Sequence, residues 1–173
     1  KFYSGAVRWR FSDENFVKNN IGSWFSEGSL NLSYGSTGNN GIGEYAYLPQ
    51  MGFSSGGTYY DYSFNDEYPT TGAIVSSIGN SKLKWEKSKS FELGLDLGFL
   101  DNRYNLILDY YNRTTSDLLT NVNLPGYTGF DSFKTNLGSL RNTGFEVEGN
   151  LSLIRNPKGF NWDFSFNASL VHN

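Results

Sequence analysis

Residues 91–99 read FELGLDLGF, with Phe91, Leu93, Leu95, Leu97 and Phe99 at every second position and Glu92, Gly94, Asp96 and Gly98 between them. Side chains of an extended strand point alternately to two faces, so this beat makes one apolar face and one polar or bare face. A helix would scatter the same residues around its circumference. The stretch is a strand, and the open question is which face meets water.

The beat recurs in six stretches of about 10 to 15 residues. Residues 2–11 set Val7, Trp9 and Phe11 against Ala6, Arg8 and Arg10, and residues 24–35 set Leu30, Leu32 and Tyr34 against Asn31, Ser33 and Gly35. The third spans 85–99. Residues 103–112 oppose Tyr104, Leu106, Leu108 and Tyr110 to Asn105, Ile107, Asp109 and Tyr111. Residues 143–154 oppose Phe145, Val147, Leu151 and Leu153 to Glu146, Glu148, Asn150 and Ser152. The last, 160–171, opposes Trp162, Phe164, Phe166, Ala168 and Leu170 to Asp163, Ser165, Asn167 and Ser169. Strands of soluble domains run to about 5–6 residues, whereas a tilted strand needs about 9–11 to cross hydrocarbon. Length therefore points to an all-β chain of about six long antiparallel strands, a segment of a transmembrane β-barrel.

Composition agrees. Aromatic residues make up 17% of the chain and glycine numbers 20, against 38% hydrophobic residues in all, a balance that suits pleated sheet with many turns. A formal charge of −3 and a pI near 5.1 speak against nucleic acid as a partner. No cysteine is present, which removes disulfides and thiolate metal sites. No apolar run approaches the length of a spanning helix, and the opening KFYSGAV has no signal-peptide pattern, so a mature or internal fragment is expected.

The connections assign sidedness. Leu100, Asp101 and Asn102 suit a tight hairpin with positive φ, RNPKGFN places Pro157 and Gly159 for a type I turn, and SDENFVKNNIGS predicts a capped helical turn from Ser12. The other joints, 36–84 and 113–142, are far longer. Outer-membrane barrels have short periplasmic turns and long extracellular loops, so 36–84 and 113–142 are expected outside. Phe11, Trp24, Phe99, Tyr104, Phe160 and Trp162 lie beside the short turns, and Tyr34, Trp85, Tyr110 and Tyr111 toward the long loops. Two aromatic belts are what two membrane interfaces select. Trp9, Trp24, Trp85, Tyr104 and Trp162 are the interface candidates, while Glu92, Asp96, Asp109, Glu146 and Glu148 are expected to face a wet lumen. Six strands enclose too little to conduct nutrients, and lipid tolerates no unpaired edge, so the chain should be part of something larger.

Two segments resemble a known family. LNLSYGSTGNNGIGEYAYL (30–48) and LKWEKSKSFELGLDLGFLDNRYNLILDYYNRTTSDLL (83–119) are similar to runs in SusC/RagA-type TonB-dependent outer-membrane transporters of Bacteroidota, and the likeness continues through LPGYTGF, NLGSLRNTGFEVE and FNWDFSFNASLVHN. The resemblance implies that residues 1–173 are part of a TonB-dependent receptor-like barrel domain of about 22 strands, with the plug and the other strands outside these residues. It implies import of oligosaccharides or peptides, a SusD-like lipoprotein at the extracellular mouth, and energy from the TonB–ExbB–ExbD complex acting through the plug region.

Candidate chemistry is sparse. Glu146 and Glu148, two apart on one strand face, resemble a glycosidase pair in spacing alone; every strand carries polar residues on that face, so lumen lining explains them. His172 is the only histidine, which argues against a Ser-His-Asp site. Asp66 and Glu67 in FNDEY read as a solvated acidic loop rather than a metal site. The sequons at Asn31, Asn112, Asn150 and Asn167 fall on or at the end of strands and read as chance. No catalytic residue, metal or cofactor is expected. The tyrosine-rich segment with Tyr59, Tyr60, Tyr62 and Tyr68, together with Tyr127 and Phe130 of LPGYTGF, is the candidate contact for ligand or lid partner, since such rings stack on sugars or pack on proteins at low entropy cost; the competing readings are packing of the rings on one another and a structural role for LPGYTGF. Two rival functions share the alternation: a secreted carbohydrate-binding β-sandwich, with shorter strands, and an ungated barrel, whether porin or barrel enzyme.

Overall fold

The structure is a computed structural model and describes residues 1–53, 61–62 and 70–173. In chain order the strands are β1 (Ser4–Trp9), β2 (Phe25–Asn39), β3 (Gln50–Phe53), β4 (Asp61–Tyr62), β5 (Thr70–Thr71), β6 (Ala73–Ser77), β7 (Glu86–Phe99), β8 (Tyr104–Ser116), β9 (Leu119–Asn123), β10 (Ser132–Asn136), β11 (Ser139–Ile154) and β12 (Trp162–His172). One helix, α1 (Asn15–Asn20), lies between β1 and β2. The chain divides into two units, 1–38 with 87–116 and 139–173, and 39–86 with 117–138.

The first unit is a single open sheet of six strands in the order β1-β2-β7-β8-β11-β12. The β1–β2, β7–β8, β8–β11 and β11–β12 ladders are antiparallel. Besides the sheet, the unit contains only α1 and a 3-10 turn at Phe11–Asp13. A β-sandwich needs a second sheet on the apolar face, and this unit has none.

Strand ends depart from the apolar pattern in both directions. Strands β2, β8 and β11 each outrun their alternating stretch by about four residues. For β8 the cause is visible: Arg113–Ser116 is paired on one side with Lys87–Ser90 and on the other with Ser139–Asn142. Ladder hydrogen bonds on both edges carry the strand on after its apolar beat has stopped. Strand β1, by contrast, has one ladder partner, and its pairing ends at Trp9 opposite Leu30. Phe11 leaves the sheet and lies 6.0 Å from the Phe25 ring, where it also covers Gly28.

The helical turn is displaced from its expected start. Ser12 lies inside the 3-10 turn, and α1 begins after Glu14 without a side-chain cap hydrogen bond. Asp13 instead holds the segment by ion pairs to Arg10 and Lys18, both at 3.7 Å. At the β7–β8 turn, Leu100, Asp101 and Asn102 all take positive φ (52°, 56° and 57°), and the Ser26 hydroxyl accepts the Asp101 N–H at 2.7 Å. In the β11–β12 turn, Gly159 N donates to Asn156 O at 3.3 Å across Pro157.

Register fixes the two faces. On the apolar face Leu95, Leu108, Val147 and Ala168 stand in one cross-strand row. On the other, Gly94, Asp109, Glu146 and Ser169 stand in the next row. The apolar face is uncovered. Among the described residues Val17 is the buried hydrophobic side chain, at 5% exposure, while Leu32, Phe145, Phe164 and, at 76%, Leu170 are open. Tyr111 falls on the polar face, opposite Glu92 and Gly144, so it is withdrawn from the aromatic belt.

The second unit holds folded structure where long loops are expected. Its described residues form the two-stranded ladders β3–β6, β4–β5 and β9–β10. Side chains clamp its backbone segments together. Asn136 accepts Lys84 N at 2.7 Å and donates to Lys84 O at 2.8 Å and Asp117 O at 2.7 Å, and Asn80 donates to Lys134 O at 3.0 Å.

Candidate functional site

The polar face of the six-stranded sheet is the candidate site, because the alternation of every long strand delivers its polar residues there. Two neighbourhoods differ in charge. In the first, Asp96 of β7 is the hub: its Oδ2 accepts from Arg8 Nη2 (3.0 Å), Ser29 Oγ (2.9 Å) and Asn31 Nδ2 (3.0 Å). Arg8 Nη2 also donates to Ser29 Oγ at 2.9 Å. Arg8 and Asn31 are directly paired across β1 and β2, so three adjacent strands are tied through one carboxylate. Ser29 is fully buried, and its hydroxyl depends on this network. Arg8 stays about half exposed, which keeps the ion pair itself near the modest worth of a surface bridge.

The second neighbourhood is acidic. Asp109 of β8 stands directly opposite Glu146 of β11, and Glu92 and Glu148 flank them on the same face. Like charges directly opposite across a ladder are unfavourable unless water screens them, so this face is built for solvent. Arg113 is the nearest cation, 3.9 Å from Glu92. Gly94 makes the room: a Cβ there would stand 2.6 Å from Asp109 Oδ1. Glu92, Asp109, Tyr111, Arg113, Asn142 and Glu146 line a concavity of about 780 Å³. No group of three or more metal-binding side chains is assembled among the described residues.

The structure brings together the five carboxylates singled out in the sequence, Glu92, Asp96, Asp109, Glu146 and Glu148, on this one face. The aromatic candidates fall elsewhere. Trp9 donates to Glu14 at 3.1 Å, Trp24 stacks on Phe99 at 5.8 Å, and the Arg103 guanidinium lies 5.5 Å from the centre of the Tyr104 ring. Trp162 opposes Ile154 at a bulge in the β11–β12 ladder. Trp85 and the pair Tyr127 and Phe130 belong to the second unit. Tyr59, Tyr60 and Tyr68, with Asp66 and Glu67, lie outside the described residues, and Tyr62 is described only as backbone of β4. Sequence reasoning did not single out Ser29, Asn31 and Arg8 as partners of Asp96. Their alternation was visible, but the adjacency of β2 to β7 spans a connection too long for local pattern to reveal.

Glu86, which opens β7 and belongs to the second unit, accepts Leu119 N at 2.8 Å and Asn39 Nδ2 at 2.8 Å. These bonds, the one from Leu119 foremost, hold its carboxyl below the usual glutamate range.

A family model described as TonB dependent receptor-like, beta-barrel matches residues 2–172. The chain is 39% identical over 170 residues to TonB-dependent receptor P3 of Formosa agariphila, covering 97% of this chain and 16% of that protein. It is 39% identical over 175 residues to TonB-dependent receptor SusC of Bacteroides thetaiotaomicron, covering 99% of this chain and 17% of that protein. Among solved structures, that of the RagAB peptide transporter aligns with a TM-score of 0.78 and 30% identity over 98% of this chain and 17% of that one. The chain thus spans about a sixth of the length of the relatives it matches.

Proposed function

This chain belongs to the TonB-dependent receptor-like β-barrel family, and on that premise we propose that it is one arc of an outer-membrane importer of oligosaccharides or peptides. The observation that carries the reading is the division of the sheet: an uncovered apolar face, suited to lipid, backs a hydrogen-bonded face that gathers the carboxylates, suited to a water-filled lumen. Glu92, Asp96, Asp109, Glu146 and Glu148 line that lumen. Trp9, Trp24, Trp85, Tyr104 and Trp162 sit at headgroup depth. Segments 36–84 and 113–142 lie outside the cell, where a SusD-like lipoprotein covers the mouth. Energy comes from the TonB–ExbB–ExbD complex through a plug region beyond these residues. Capture and gated passage need no covalent chemistry from this face, whose carboxylates and amides can line a wet channel.

The test starts from the natural protein. Outer membranes extracted in mild detergent are expected to yield a chain several times longer than these residues, accompanied by a lipoprotein, and cells lacking TonB are expected to lose uptake of the nutrient. A detergent-independent chain of about this length in the soluble fraction would refute the reading. Uptake that persists without TonB would favour an ungated porin.

A further inference from the structure

The β9–β10 hairpin ends in a turn built to hold one ring out. Leu124 N donates to Asp131 O at 2.8 Å and closes the loop. Within it Pro125 has φ −61°, Gly126–Thr128 forms one 3-10 turn, and Gly129 ends that turn at φ 76°. The Thr128 hydroxyl donates to Pro125 O at 2.8 Å and accepts Phe130 N at 3.4 Å. Phe130 and Phe133 are half-buried. Tyr127, which precedes both in the turn, is 91% exposed, the most open of the large hydrophobic side chains described.

We propose that Tyr127 is the anchor by which the importer grips its lid lipoprotein, entering an apolar pocket on that partner with an acceptor at its base for the phenol. The inference rests on the partner reading above and deepens it. The shape of the tip selects the partner. A small nutrient is held by a concave site that surrounds it, whereas a lone convex ring can gain burial only if the other surface supplies the pocket. Lipid is a poor match as well, since Tyr127 stands among Pro125, Gly126, Thr128 and Gly129 with no second exposed aromatic in the turn, and interfacial insertion relies on a broad apolar face. The turn is pre-ordered by its own hydrogen bonds, so docking fixes only the two side-chain torsions of tyrosine. Tyrosine is among the residue types on which interface affinity concentrates.

The experiment uses the full parent chain in mild detergent, titrated with the lipoprotein that co-purifies with the wild type, supplied as its lipid-free soluble form. Tyr127→Ala is expected to weaken binding by about tenfold or more, and Tyr127→Phe by only a few-fold, with heat-resistant migration of the barrel unchanged in both. Equal affinity of wild type and Tyr127→Ala overturns the anchor while leaving the partner reading intact. Loss of heat resistance in both variants overturns it too, making the ring internal packing against the rest of the barrel. So does a fall in nutrient affinity with lipoprotein affinity kept, or a drop in binding to phosphatidylethanolamine vesicles alone. A wild-type chain that captures no lipoprotein refutes the partner reading itself.

Discussion

Leu108 and Ile107 are neighbours in β8 with opposite surroundings, and an arginine at each separates lipid from lumen. Leu108 stands opposite Leu95 and Val147, and Ile107 opposite Asp96 and Glu148. Four residues separate Leu108 from Tyr104, about 14 Å along the strand at roughly 3.4 Å per residue. A tilt of about 45° reduces this to about 10 Å along the membrane normal. Half of an apolar band about 25 Å tall is about 12 Å, so the proposed function puts Leu108 near the bilayer centre. Leu108→Arg is then expected to cost about 2–4 kcal/mol, or a factor of roughly 150 in the folding equilibrium at 3 kcal/mol. Ile107→Arg gains two carboxylate neighbours in a wet environment and should cost less than about 1 kcal/mol. Tyr104→Arg, at interface depth, should cost about 0–1 kcal/mol. The assay is urea unfolding of the full barrel in lipid bilayers, read by heat-modifiable migration and tryptophan emission. A cost at Ile107 equal to or above that at Leu108 would refute the assignment of faces.

Three further outcomes follow from the same geometry. Asp96→Ala removes the acceptor of the fully buried Ser29 O–H, which keeps only the bond it accepts from Arg8, and should destabilise the barrel by about 1–3 kcal/mol. A double-mutant cycle with Arg8→Ala should return a coupling below about 1 kcal/mol, because the ion pair itself is wet. Gly149→Ala forces a Cβ into the Phe166 ring and should cost about 1–3 kcal/mol; adding Phe166→Ala should recover part of that loss, and strictly additive effects would show that the ring does not cover the glycine. Acidification should loosen the second unit through Glu86. Its native carboxyl titrates below the ordinary glutamate value, so its contribution is complete above about pH 4.3 and is lost as pH falls through the depressed native value. Amide exchange at Leu119, corrected for the intrinsic rate, should show this loss in wild type and a flat profile in Glu86→Gln.

The aromatic and glycine positions show how far local pattern reaches. Tyr110 and Tyr111 are adjacent and chemically identical, and either one suits a membrane belt by composition. Alternation already turns Tyr111 to the polar side, but only register stands it over Gly144. Likewise Phe166 and Gly149 read separately as an apolar position of one stretch and a gap in the beat of another, but across the β11–β12 ladder they are one packing unit. The Tyr127 turn was legible as a loop with aromatic rings set among glycines. That Phe130 turns in while Tyr127 turns out depends on the Thr128 hydrogen bonds and the positive φ of Gly129.

The sequence alone determined the period of two, the six strands of the sheet though not the full length of β1, the short turns at 100–102 and 155–161, and the allocation of carboxylates to one face. These are local properties, because a strand points each side chain by its parity along the chain. Tertiary structure decided what depends on neighbours distant in sequence: how far β2, β8 and β11 run past their apolar stretch, which donors reach Asp96, and how the long connections fold into clamped ladders rather than open loops. Backbone hydrogen bonds to an adjacent strand cost the same whatever the side chain, so strand ends follow the partner and not the pattern. Closing the contact between Ser29 and Asp96 required two strands separated by a long connection to come side by side, a choice that no alternation within either strand encodes.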